Sequence, residues 1–235
     1  MTGLQAILFD CDGVLVDTER DGHRTAFNRA FAQLGLPIEW SVERYGELLE
    51  VAGGKERTRH HFDQTGWPEA ITDRDAFLQD MHRLKTALFM EIVTSGAMSA
   101  RPGVRDLIAA ALKAGVRVAV CSTSNVVAVQ GIVDHLIGAD LAPQVRVFAG
   151  DMVKRKKPDP AIYQLALDEM ALDPARCVVV EDSNIGLRAA KAAGLACIVT
   201  KSSYTGDEDF ALANLVVNDL ASGGVDLARV QGVLA

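Results

Sequence analysis

Asp10 and Asp12 stand two residues apart directly behind the apolar run AILF, in a stretch, ILFDCDGVLVDTE, that also carries Asp17 and Glu19. In an extended chain residues i and i+2 point to the same side, so these two carboxylates can face one ligand. Two other apolar runs end in a similar way. VRVAVC is followed by Ser122, Thr123, Ser124 and Asn125, and RCVVV by Glu181, Asp182 and Ser183. Acids and hydroxyls gathered at one edge suit a hard divalent cation together with a phosphoryl group. The set fits phosphoryl transfer through an aspartyl phosphate. That chemistry needs a carboxylate nucleophile, a cation to neutralise charge, donors for the transferring oxygens and an acid for the leaving alcohol.

Other chemistries fail on spacing. D-x-D-G opens like an EF-hand loop, but Val14 and Leu15 occupy the positions where that loop needs an Asp or Asn and then a Gly. Gly54-Lys55 is followed by Glu56, and Leu49 stands where a P-loop has its first glycine. No G-x-G-x-x-G opens a helix, which leaves dinucleotide binding without support. A formal charge of -7 with no basic stripe argues against a nucleic-acid partner. His60 and His61 have no metal-ligand partner in sight and read as packing or surface residues.

The elements that must position these residues follow from pattern. From Pro102 onward, short β-branched runs (VRVAVC, QVRVFA, RCVVVE, LACIVT) alternate with amphipathic segments of helical spacing, the signature of a parallel α/β sheet. LQAILF is expected in the same sheet, and LANLVVND with a last helix closes the chain. Between them, HRTAFNRAFAQLG, SVERYGELLEVAG, KERTRHHFDQTG and DRDAFLQDMHRLKTALFMEIV carry helical spacing only. The organisation expected is an α/β core of residues 1–17 and 99–235 with a helical cap of residues 18–98 inserted after the first strand. Its connections, near Val16 to Glu19 and Thr94 to Arg101, would be the hinge.

With 49% apolar residues in 235, the chain has ample core. Four scattered cysteines with no C-x-x-C pair read as reduced, buried thiols. No leader peptide fits before the first strand, and no apolar run approaches the ~20 residues of a membrane span. A soluble, cytoplasmic monomer with no membrane or nucleic-acid partner is the expectation.

DCDGVLVDTE (residues 10–19), VAVCSTSN, KRKKPDPAIY and VVVEDSNIG, in this order, resemble the four motifs of the haloacid dehalogenase-type phosphohydrolases. The resemblance implies a Rossmann-like core and a role for each matching residue. Asp10 would attack phosphorus, while Asp12 would protonate the leaving oxygen and then activate water. Mg²⁺ would be held by Asp10, the Asp12 carbonyl and Asp182, with Glu181 beside them. Ser122, Thr123, Ser124 and Asn125 would contact the phosphoryl group, and Lys157 would pair with Asp10 and the phosphate. The rest of the Lys154 to Lys157 run reads as solvated surface. Gly13 lets the backbone turn close to the phosphate.

A helical insert at this point resembles the subgroup that contains β-phosphoglucomutases, phosphoglycolate phosphatases and sugar-phosphate phosphatases. In EVAGGKERTRHHF, Glu50, Gly53, Gly54, Lys55 and Arg57 are the candidate substrate contacts, with Lys55, Arg57 and Arg59 a cationic cluster suited to a distal phosphate. GGKER together with DTERDGHRTAFN resembles the CbbY family, whose members dephosphorylate xylulose 1,5-bisphosphate, an inhibitor of Rubisco. Glu19 is open between a substrate hydroxyl contact and a structural hydrogen bond. Two rivals stand beside a sugar-phosphate phosphatase. A phosphomutase would carry a hinge histidine one residue earlier, where Gly22 stands before His23. A non-catalytic sugar-phosphate binding module would not need Asp10, Asp12, Ser122, Lys157 and Asp182 together.

Overall fold

The structure, a computed structural model, describes residues 3–51, 53–96 and 98–234. In chain order it runs β1 (Ala6–Phe9), α1 (Arg24–Gln33), α2 (Val42–Leu48), α3 (Gly54–Thr65), α4 (Arg74–Thr94), α5 (Val104–Lys113) and β2 (Arg117–Ser122). There follow α6 (Val126–Ile132), β3 (Val145–Ala149), α7 (Ala161–Glu169), β4 (Cys177–Glu181), α8 (Asn184–Ala192), β5 (Ala196–Thr200), β6 (Leu215–Val217) and α9 (Leu227–Gly232). The chain divides into two compact units, Met1–Asp17 with Met98–Ala235, and Thr18–Ala97. Met98, placed with the cap by sequence, groups with the sheet unit, and its side chain is buried.

The expected α/β core is present as a six-stranded sheet in the order β3-β2-β1-β4-β5-β6, every neighbour parallel. The inner strands β1 and β4 are buried along their whole length, which is why they read as unbroken apolar runs without alternation. From β1 the chain builds outward to β2 and β3, then returns to β1's other side for β4, β5 and β6. Such a reversal opens a crevice at the carboxyl ends of the strands. Phe9 is level with both Val120 and Val180, so Asp10, Cys121 and Glu181 stand at one height at this edge of the sheet. All four cysteines are free and buried.

The helical unit packs around aromatic side chains. Phe27, Phe31, Trp40 and Tyr45 lie with ring centroids 4.8 to 6.2 Å apart, and all four are fully buried. Ser41 caps α2 and Asp73 caps α4. Burying a large apolar side chain contributes ~1.5–3 kcal/mol against ~1 kcal/mol for a cap, so the ring cluster dominates this unit's stability. Ahead of α1, Glu19–His23 forms a π-turn in which the Arg24 amide reaches back to the Glu19 carbonyl. A π-turn holds one residue more than an α-turn. His23, the last residue of this turn, stacks on Phe89 at 4.0 Å with Nδ1 2.9 Å from Lys85 Nζ. Among the described residues no helix is long and apolar enough to cross a membrane.

Candidate active site

The site assembles at the carboxyl ends of β1, β2 and β4. Asp10 leaves β1 with its amide bonded to the Val180 carbonyl at 2.9 Å, which fixes it between the neighbouring strands. Lys157, on the segment before α7 and joined to Pro158 by a cis bond, reaches in with its side chain only 6% exposed. Its ammonium donates to Asp10 Oδ1 at 2.5 Å, Glu181 Oε1 at 2.7 Å and the Cys121 carbonyl at 2.9 Å. Those three bonds use every donor an ammonium has.

Glu181 is fully buried and engaged at both oxygens. Oε1 also accepts from Tyr163 Oη at 2.7 Å, while Oε2 accepts from the Asp182 amide at 3.1 Å and Ser183 Oγ at 3.3 Å. Its carboxylate lies so close to the start of α8 that a Cβ on Gly186 would stand 1.9 Å from Oε1. Gly13, at φ +82°, has the same relation to Asp182: a Cβ there would lie 2.0 Å from Oδ2. The left-handed turn and the close approach both require glycine.

The carboxylates of Asp10, Glu181 and Asp182 present oxygens within 4.8 Å of one another, all buried. One ammonium cannot balance three carboxylates. Burial pushes Asp10 up, to about 8, against the opposing pull of Lys157 and with the help of Glu181 and Asp12. Burial, then Glu181 and Asp10, hold Asp182 well above the ordinary carboxylate range. On Lys157 burial acts downward, but the two carboxylates it bonds outweigh it and the net shift is upward. Buried, all-oxygen and over-charged, the cluster fits a hard divalent cation. With Glu181 occupied on both sides, Asp10 and Asp182 are the carboxylates suited to touch it.

Around them, Ser124 Oγ donates to Asp12 Oδ2 at 2.5 Å and fixes that carboxylate. Ser122 is buried, its Oγ accepting from the Ser124 amide at 3.0 Å, so the turn after β2 is tied to its own strand end. Asn125 is the N-cap of α6, its Oδ1 accepting from Val127, and the Thr123 carbonyl accepts from Lys156.

A profile of the family described as haloacid dehalogenase-like hydrolase matches residues 4–194, and the residues just described lie within that span. The chain belongs to the haloacid dehalogenase-like hydrolases. It is 54% identical to a CBBY-like protein of Arabidopsis thaliana, over 97% of this chain and 74% of that one. It also superimposes on the crystal structure of CbbY from Rhodobacter sphaeroides in complex with phosphate, with TM-score 0.85 and 43% identity over 97% and 99% of the two chains. A CbbY mutant from the same organism in complex with xylulose 1,5-bisphosphate matches equally, at TM-score 0.85 and 42% identity over the same shares. The chain is a phosphatase-type enzyme of this family.

The remaining candidates of this hydrolase lie in the helical unit. Glu19 accepts from Tyr45 Oη at 2.6 Å, and that hydroxyl in turn accepts from Arg57 Nη1 at 2.8 Å. Arg57 is buried and also donates Nε to the Leu48 carbonyl at 3.1 Å, so it is held within the unit rather than free in solvent. Arg59 pairs with Asp75. Lys55 is exposed, on the wall of a cleft of about 220 Å³ shared with Glu56, Arg59 and Asp75. Gly53, at φ +93°, and Gly54 open α3, and Glu50 is exposed on the turn before them.

Three participants carried no sequence signal. Tyr163 reads as one more apolar position of α7, yet its hydroxyl holds Glu181. Ser202, beyond β5, closes on the Gly13 turn beside Asp182, its Cβ 3.2 Å from where a Cβ on Gly13 would stand. Arg101, expected at the hinge, makes the widest set of side-chain contacts near the Gly13 turn.

Proposed function

We propose that this enzyme is a Mg²⁺-dependent phosphatase that hydrolyses a sugar bisphosphate, xylulose 1,5-bisphosphate to xylulose 5-phosphate, through an aspartyl phosphate, and so removes a Rubisco inhibitor. The observation that carries the reading is Asp10: a carboxylate at the end of β1, gripped by Lys157, clustered with Asp182 and two residues before the Ser124-bound Asp12. Asp10 attacks phosphorus and the bond from phosphorus to the sugar oxygen breaks. Asp12 gives its proton to that oxygen. The Asp12 carboxylate then takes a proton from water as the water attacks phosphorus and frees Asp10. Ser122 and the amides of its turn receive the phosphoryl oxygens, and Lys157 neutralises charge between Asp10 and the phosphate.

Asp10, Asp182 and the Asp12 carbonyl would hold Mg²⁺. When bound it supplies the positive charge that keeps the site's carboxylates ionised and shields the phosphate from them. The helical unit acts as a cap that supplies substrate selectivity, with the exposed Lys55 serving the distal phosphate, and Glu19, fixed by Tyr45 and Arg57 behind it, the sugar hydroxyls. The bisphosphate bound by the R. sphaeroides CbbY mutant supports this choice of substrate.

A phosphate-release screen over sugar mono- and bisphosphates, with and without Mg²⁺, tests the reading. Release greatest for xylulose 1,5-bisphosphate, Mg²⁺-dependent and abolished in a folded Asp10→Asn variant, is expected. Substantial turnover by that variant sinks the aspartyl-phosphate route. The second reading, a phosphomutase, is favoured by the π-turn that brings His23 against Lys85. Formation of glucose 1,6-bisphosphate from β-glucose 1-phosphate would select it.

A further inference from the structure

Asp182 is held between two stretches of backbone. On one side lies the Gly13 turn, where an added Cβ would stand 2.0 Å from the carboxylate, and on the other the segment after β5, whose Ser202 Cβ lies 3.2 Å from that same point. The Gly13 turn belongs to no helix or strand and the chain leaves the sheet after Thr200, the last residue of β5, so the sheet alone does not fix how far Gly13 stands from Lys201 and Ser202. One side chain spans both. Arg101 donates through Nη1 to the Gly13 carbonyl, to the Thr200 carbonyl at 3.2 Å and to Thr200 Oγ1 at 2.7 Å. Through Nη2 it reaches the Lys201 carbonyl at 2.6 Å and the Asn218 carbonyl at 2.8 Å. Its own amide donates to the Leu15 carbonyl at 2.8 Å, which holds the far end of the same turn.

We propose that Arg101 is a positioning residue: by tying the Gly13 turn to the Thr200–Ser202 segment, it sets where Asp182 stands relative to Asp10. Gly13 has no side chain, so its distance from Asp182 is a backbone distance. The carbonyl of Gly13 itself has a side-chain partner, and that partner is Arg101. The four N–H groups of Nη1 and Nη2 reach all five acceptors, one N–H being shared, because a guanidinium's donors are rigidly forked in a plane, whereas an ammonium has three donors on a flexible stem. Lysine keeps the charge and loses the span.

The inference rests on the proposal that Asp10 and Asp182 hold Mg²⁺, and the test separates the two. Arg101→Lys and Thr200→Val, the second removing one acceptor of the fork, are compared with wild type in three measurements. These are thermal unfolding with and without Mg²⁺ in the absence of substrate, the Mg²⁺ concentration for half-maximal phosphate release, and kcat and KM for xylulose 1,5-bisphosphate. Loss of a group that orients a metal ligand costs about 10- to 100-fold in metal affinity or activity. Arg101→Lys should raise the half-saturating Mg²⁺ by that factor, shrink the Mg²⁺-induced rise in Tm and lower kcat more than it raises KM. Thr200→Val should move the same quantities less far in the same direction, and it decides the matter if Arg101→Lys does not fold. A lower Tm with wild-type Mg²⁺ half-saturation and a wild-type Mg²⁺-induced shift would overturn the proposal, leaving Arg101 a fold-stabilising residue. A wild-type protein with no Mg²⁺ response overturns the metal reading itself and the inference with it.

Discussion

Replacing Gly13 with alanine should damage the site far more than it damages the fold. Two effects act at once. At φ +82° an alanine sits in the left-handed region, at a backbone cost of about 1–2 kcal/mol. Its Cβ would also stand 2.0 Å from Asp182 Oδ2, where ordinary contact begins at 3.4 Å, so the carboxylate has to withdraw by about 1.4 Å. A displacement of about 1 Å at a catalytic centre can lower the rate about 100-fold. Gly115→Ala separates the two effects, because Gly115 has φ +75° and open space where a Cβ would go. Thermal unfolding should show both variants losing a similar amount of stability. Phosphate release should show kcat falling about 100-fold for Gly13→Ala and unchanged for Gly115→Ala. A folded Gly13→Ala enzyme with wild-type kcat would refute the link between this turn, Asp182 and activity.

Lys157→Met removes the cation that Asp10 and Glu181 share. Denaturant unfolding should register a loss of about 3–5 kcal/mol, the cost of uncompensated buried charge, and the loss should shrink as pH falls, because a neutral carboxyl needs no counter-charge. Since burial raises Asp10 from 3.8 to about 8, its contribution to the metal-free protein is full below the lower value and lost as pH rises through the upper one. The Mg²⁺-induced rise in Tm should therefore grow with pH across that window, and a rise independent of pH would count against Asp10 as a ligand. Lys55→Ala removes an exposed cation and should raise KM for xylulose 1,5-bisphosphate about 10-fold, the scale of one charged hydrogen bond, while leaving sugar monophosphates little changed. Equal losses on both substrates would remove the distal-phosphate role.

The chemistry at the strand ends was legible because it is local. Apolar runs of strand length identify β1, β2 and β4, and in a parallel sheet the residue following each run is delivered to the ligand edge. Asp10, Ser122, Glu181 and Asp182 could thus be named before any contact was known. The six-strand parallel sheet followed from the same alternation of strands and helices. Lys157 was weaker ground: adjacency to Pro158 marked it in the KRKK run, but its bond to Asp10 bridges 147 residues.

What pattern could not express was partnership across the chain. Periodicity tells which residues face inward and says nothing about which inward polar group meets which. Tyr163 thus read as apolar filling of α7, and Glu181 as one more acid of the cluster, although its two oxygens are divided between Lys157 with Tyr163 and the start of α8. The π-turn that ends at His23 was equally unreadable, because helix register depends on hydrogen bonds that composition does not specify. By itself the sequence determined the strands, the order in which helices follow them and the kinds of groups at their ends, all consequences of local propensity and spacing. Only the tertiary structure decided that Arg101, 88 residues beyond Gly13, closes on that turn and on the end of β5, because a hydrogen bond between distant segments exists only once packing has brought them together.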